Sequence, residues 1–303
     1  MLAELERKVL WLSTWIVHNA NHIRPSIDGL KVGGHQASSA SSVTLLTALY
    51  FHVLNPADRI AIKPHSSPAY HAIQYLMGRQ TREKLEQFRA LGGAQSYPSR
   101  TKDTVVVDFS GGSMGLPIGL TTFASLAQDY VRLKQLVPTG TPPGRMMALM
   151  GDAEFDEGNV FEAMLEGWKH DVRNLWWVID YNRQSLDAVV TDRLFGRVDD
   201  IFRSTGWQVT VLKYGKKLQA AFAQPGGAAL RRLALPAVGC CPKSKVPAAD
   251  SFARAPLAGA RRPADPTPHH RQSPAPAGTQ PFVQRSSGRS DCLCGRQTAA
   301  PSL

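Results

Sequence analysis

Two short apolar runs organise the middle of this chain. Met146-Met-Ala-Leu-Met150 is stopped by Gly151-Asp152, and Asn174-Leu-Trp-Trp-Val-Ile-Asp180 follows some two dozen residues later. Both have the length of buried parallel strands. Between them Val160, Phe161, Met164, Leu165 and Trp168 recur at helical spacing, which predicts a strand-helix-strand unit. Upstream, Leu2 to Val17 is charged and amphipathic, Val43 to Leu54 carries a helical pattern, and Pro117 stands where a helix start tolerates proline. Downstream, Trp207 with Val209 to Leu212 reads as a further strand. The alternation continues to Arg232 and then stops. The fold class expected is α/β: a doubly wound, mostly parallel sheet with helices on both faces, incomplete at its C-terminal side.

The unit also places chemistry. Two parallel strands point the same way, so Asp152 and Asn182 should emerge side by side at the carboxyl edge of the sheet, where open α/β folds bind ligands. Two hard oxygen donors at one cavity suit magnesium, which takes one or two protein oxygens and completes its shell with phosphate and water. A bare Gly-Asp at a strand end can equally be a helix N-cap. The longer string Gly151-Asp-Ala-Glu-Phe-Asp-Glu-Gly-Asn159, with Asn182 thirty residues beyond Asp152, is more specific.

That string resembles the cofactor signature of thiamine-diphosphate enzymes, Gly-Asp-Gly followed by about thirty residues and then Asn. The resemblance implies that Gly151, Asp152, Ala153 and Glu154 line the diphosphate, and that Asp152, Asn182 and the backbone carbonyl of Gln184 hold Mg2+. Ala153 stands where a third glycine is usual and adds one methyl group. Gly33-Gly-His35-Gln-Ala-Ser38 and Pro64-His65-Ser-Ser-Pro-Ala-Tyr70 are similar to the two histidine-bearing loops of the homodimeric pyruvate dehydrogenase decarboxylating component and, more distantly, of transketolase. Ser110-Gly-Gly-Ser-Met-Gly115 resembles the glycine-rich turn that passes close to the cofactor, which marks Ser113, Met114 and Gly115. The similarity covers roughly residues 10 to 232. Glu154-Phe-Asp-Glu157, Gln95-Ser-Tyr-Pro98 and Asn182-Arg-Gln-Ser-Leu-Asp187 favour the 2-oxo acid dehydrogenase branch. The alternatives are a transketolase-like two-carbon transferase, a noncatalytic or complementing subunit of a split thiamine enzyme, and an unrelated doubly wound binding protein.

In such an enzyme thiamine diphosphate supplies the electron sink, and the protein supplies orientation and proton traffic. Histidine titrates near neutrality, so His35 and His65 are the candidate catalytic residues, able to hydrogen-bond a substrate carboxylate or carbonyl. Of the remaining seven histidines, His71 has the strongest claim because it follows the second loop. The resemblance implies a small-molecule substrate, a 2-oxo acid or a ketose phosphate. It also implies a homodimer, or a complementing chain with the pyrimidine-binding domain. That second domain, with its activating glutamate, has no counterpart here, so the chain is expected to bind cofactor without turnover on its own.

Composition adjusts this picture at one end. The chain has 303 residues, 43 % of them hydrophobic, enough for a sizeable core. No apolar run reaches a membrane span and the amino terminus is not a secretory signal, so a cytoplasmic location without membrane contact is expected. The net charge is +11, but residues 234 to 303 contribute nine basic and three acidic residues, all four cysteines, 11 of the 21 prolines and no Trp or Tyr. Such a segment cannot bury enough apolar surface to offset its ordering entropy. The expected division is therefore a cofactor-binding domain over 1–232 and a disordered, basic tail over 233–303 of the kind a shifted reading frame produces. The tail lacks aromatic interleaving, which argues against a nucleic-acid partner. Its cysteines lack the spacing of a zinc site.

Overall fold

The computed structural model describes residues 1–26, 29–185, 188–189 and 195–231, with the backbone alone at 184–185 and 188–189. The chain divides into two units, Met1–Ser244 and Lys245–Leu303, and every described residue belongs to the first. The expected tail over 233–303, and Asp187, lie outside the described residues.

The amphipathic amino terminus forms α1 (Leu2–His18), which buries Val9, Ser13, Ile16 and Val17, one stripe at helical spacing. It runs into a wider π-type turn at Asn19–Ile23. Short helices α2 (Gln36–Ala40) and α3 (Val43–Ala48) follow, then β1 (Arg59–Ile62), α4 (Ser67–Leu76) and α5 (Arg82–Glu86). Thr81 caps α5 through its hydroxyl, which accepts the Lys84 N–H at 3.3 Å. The long helix α6 (Leu116–Leu133) carries Pro117 in its first turn, as the sequence predicts. Next come β2 (Met146–Gly151), α7 (Gly158–Lys169), β3 (Leu175–Asp180), a small antiparallel pair β4 (Gln184–Ser185) and β5 (Ala188–Val189), and helices α8 (Phe195–Ser204) and α9 (Lys216–Phe222).

Strands β1, β2 and β3 lie side by side in that order and are parallel, with Ile62 opposite Leu149 and Gly151 opposite Asp180. Alternation along the strands sorts the core into two clusters. Ile60, Ile62, Met147, Leu149 and Val178 face one way, onto Val9 and Ile16 of α1, Leu46 of α3 and Ile73 of α4. Ala61, Ala148, Met150, Trp177 and Ile179 face the other way, onto Ile118 of α6, Val160 and Met164 of α7 and Phe202 of α8. Because helices cover both faces, all six residues of β2 are buried, and a continuous apolar run is what such a strand requires. The expected doubly wound α/β layering is present.

Three local expectations are corrected. Residues 67–70, read as part of a loop, open α4, because Pro68 fits a first helical turn. Residues 207–212, read as a strand, join no sheet among the described residues. Their alternation comes instead from packing: Trp207 stacks on Trp177 with centroids 4.5 Å apart, and Val209 rests on the second cluster. In α7, Val160 and Met164 are buried as expected, but Phe161, Leu165 and Trp168 are exposed; the inward face is completed by Ala163 and Gly167. Among the described residues no helix is long and apolar enough to cross a membrane.

Candidate functional site

The parallel register brings the carboxyl ends of three strands together, and each ends in a charged residue: Lys63 after β1, Asp152 after β2 and Asp180 closing β3. Asp152 is half-buried. Its Oδ2 accepts the Arg183 N–H at 2.9 Å, which the left-handed backbone of Arg183 (φ 58°) turns inward. Its Oδ1 is buried and has no hydrogen-bond partner. Burial pushes the Asp152 carboxyl above its ordinary pKa and Asp180 adds to this, while N–H donors and the charge of Lys63 pull the other way. A buried carboxylate oxygen without a donor is costly, and a cation would remove that cost.

Asp180 is the hub of a second arrangement. Its Oδ2 accepts from Ser41 Oγ at 2.6 Å, Lys63 Nζ at 2.7 Å and Asn182 Nδ2 at 3.2 Å. Asn182 Nδ2 also donates to Ser41 Oγ at 2.9 Å. Lys63 and Asp180 are both buried, so the pair joins β1 to β3 across the end of β2 in a low-dielectric setting. Neither Lys63, Ser41 nor Asp180 is marked by the sequence reading. The available signal is at Asp180, a charged residue closing an apolar run, whereas Lys63 follows a strand too short to read.

The glycine-rich segment is fixed from the other side. Glu154 is fully buried, with Oε1 accepting the Gly151 N–H and Oε2 the Gly115 N–H, each at 2.8 Å. Burial raises its pKa and the two N–H donors oppose that. Glu154, marked as a cofactor contact, thus ties the two loops that frame the site. Gly115 adopts φ 72°, and a Cβ there would lie 2.5 Å from Asn159 Oδ1. Ser113 is exposed, Met114 and Ala153 are half-buried, and Gly112 and Gly158 border open space. Gln184 lies in β4, its backbone opposite Val189.

His35 and His65 are brought together, with ring centroids 6.2 Å apart. The His35 loop is held by Asn21, whose Oδ1 accepts the Gly33 N–H at 2.6 Å and whose Nδ2 donates to the Gly34 carbonyl at 3.2 Å. A Cβ on Gly33 would sit 2.5 Å from the Val17 carbonyl oxygen, so this approach requires glycine. Partial burial, followed by the charges of Lys63, His35 and Arg89, holds the His65 pKa below the ordinary imidazole value. His71 is elsewhere: fully buried, it donates from Nε2 to the Gln95 carbonyl at 2.8 Å and accepts from Gln80 Nε2 at Nδ1, 3.2 Å away. Burial lowers its pKa, and it is a satisfied core histidine.

The chain is thus a doubly wound α/β protein whose anionic and amide oxygens, glycine loop and paired histidines converge at the carboxyl ends of its parallel strands. Residues 55–226 match the family described as transketolase, thiamine diphosphate binding domain, and the chain belongs to that family. It is 31 % identical over 228 residues to the pyruvate dehydrogenase E1 component of Escherichia coli K12, covering 71 % of this chain and 25 % of that protein. The corresponding component of Cupriavidus necator is 28 % identical over 204 residues, covering 64 % of this chain and 23 % of the relative. The chain therefore spans about a quarter of the length of these relatives. Among solved structures, a transketolase from Campylobacter jejuni superposes with a TM-score of 0.55 at 21 % identity, over 68 % of this chain and 32 % of that one. At that identity the likeness speaks for the fold.

Proposed function

We propose that this chain provides the magnesium- and diphosphate-binding part of a thiamine-diphosphate-dependent 2-oxo acid dehydrogenase decarboxylating component. The observation that carries the metal assignment is the partnerless, buried Oδ1 of Asp152, whose other oxygen is held by the N–H of Arg183, the residue between Asn182 and Gln184. Among the described residues no three His, Cys, Asp or Glu gather into a metal-binding cluster. One carboxylate, one amide oxygen and one carbonyl are what magnesium takes when phosphate oxygens and water complete its shell. The donors therefore fit the group.

In this reading Asp152, Asn182 and Gln184 hold Mg2+, and the backbone from Ser113 to Gly115 with residues 151–154 accommodates the diphosphate. When bound, the cofactor supplies an electron sink beside a carbonyl carbon. His35 and His65 keep exposed side chains, with ring centroids 6.2 Å apart. The lowered pKa of His65 favours the neutral imidazole, which offers a ring nitrogen that can accept a proton or a hydrogen bond. The 2-oxo acid branch is preferred because the curated relatives named above are pyruvate dehydrogenase components. Since the chain spans a quarter of those proteins, turnover is expected to need a further polypeptide segment, either a complementing chain or a second domain.

Calorimetric titration with thiamine diphosphate, with and without magnesium, tests the reading. Binding is expected only with the metal. Asp152→Ala should weaken it by about 10- to 100-fold, the value of a charged ligand contact, while far-ultraviolet circular dichroism stays that of the parent. Equal binding by parent and variant would remove the metal assignment.

A further inference from the structure

We propose that Asp180, backed by Lys63 and Ser41, is a positioning residue that sets the orientation of the Asn182 amide and so presents an oxygen, rather than a nitrogen, to the metal. The inference rests on the cofactor reading above and assigns roles to three residues outside the ligand set.

The argument is one of donors and acceptors. Asp180 Oδ2 receives three donors: Ser41 Oγ at 2.6 Å, Lys63 Nζ at 2.7 Å and Asn182 Nδ2 at 3.2 Å. An ionised carboxylate only accepts, so the end of the Asn182 amide nearest it must be NH2. Ser41 has one proton, which Asp180 Oδ2 at 2.6 Å takes in preference to the Ser38 carbonyl at 3.1 Å, and neither acceptor leaves it for Asn182, so the Ser41 oxygen accepts from Asn182 Nδ2, 2.9 Å away. Both contacts select the same rotamer of the amide. A flipped amide would set its oxygen against a carboxylate and against a hydroxyl oxygen whose proton is already used. The planar group then carries Oδ1 on its opposite edge, and an amide oxygen has two lone pairs with which to meet a cation.

Lys63 makes the arrangement tenable. Asp180 is buried, and a buried carboxylate needs a paired charge. Lys63 supplies it from the end of β1, which also keeps that carboxylate's charge committed within the protein. Ser41 is the C-cap of α2, the short helix that follows His35. The amide of a metal ligand is therefore registered against the histidine-bearing segment as well as against β1.

The test uses the full chain. Side-chain NH2 resonances of Asn182, assigned by comparison with Asn182→Ala, are expected to be shifted and protected in the parent, and to lose that protection in Asp180→Asn and in the milder Ser41→Ala. In calorimetry each of these two variants should bind magnesium-thiamine diphosphate about tenfold more weakly, as loss of one charge-assisted hydrogen bond requires. A residue needed only for folding would lower thermal stability in both variants while leaving the Asn182 NH2 protection and the affinity of the still-folded protein as in the parent. Unprotected Asn182 protons in the parent, or single variants binding as the parent does, would overturn the inference. If the parent binds no cofactor, the cofactor reading falls, and the resonances still decide the amide orientation by themselves.

Discussion

The residue that most changes the picture of this site is Lys63. Its ammonium is buried against Asp180, and its charge also bears on Asp152, Glu154 and His65. Removing one partner of such a pair leaves an uncompensated ion, so Lys63→Met should destabilise the chain by about 3–5 kcal/mol, read as a lower urea midpoint. Lys63→Met combined with Asp180→Leu takes out both charges and should recover much of that loss, because the low-dielectric site no longer holds a lone ion. An equal loss in single and double variants would mean that packing of the lysine stem, not charge, matters there. His71 makes the opposite point about a residue. Its position after the second loop gave it a claim on function, yet both ring nitrogens are satisfied inside the core.

At the scale of elements, legibility followed burial. Strand β2 was readable because helices on both faces demand an unbroken apolar run, and α1 was readable because it buries a single stripe. Helix α7 was located correctly, but sequence spacing alone does not reveal which side of a helix meets the sheet. The small residues Ala163 and Gly167 pack inward, while Phe161, Leu165 and Trp168 stay outside. Strand β1 is not legible, because four residues opening with Arg59 give too short a pattern. At the site, Asp152, Asn182 and the paired histidines were legible as motif residues, whereas the Ser41, Lys63 and Asp180 arrangement was not. Its members are separated by up to 139 positions and meet only once the sheet exists. The glycine turn before α6 offers a test at this scale. Gly115→Ala meets both a left-handed φ and a 2.5 Å approach to Asn159 Oδ1, so it should cost about 1–3 kcal/mol and weaken cofactor binding, measured by thermal unfolding and calorimetry. A variant as stable as the parent would show that the turn can be rebuilt without φ > 0.

At the scale of the whole molecule, the described residues make a two-sided core around three strands, and the candidate site lies where those strands end. One carboxylate, Glu154, carries a consequence for how this core breathes. By receiving the N–H of Gly151 and the N–H of Gly115 together, it fastens the end of the central strand to the start of a long helix. Neither amide proton can reach solvent unless that buried side chain lets go, and letting go leaves a buried carboxyl group without its two N–H donors. In deuterated buffer these two glycines, one the last residue of β2 and the other just before α6, should exchange on the timescale of unfolding of the entire core rather than of local loop fluctuation. Their protection factors, followed by NMR against denaturant, would then report the integrity of the whole domain from two protons beside the candidate site. Rapid exchange at both would show instead that the two loops open independently of the sheet.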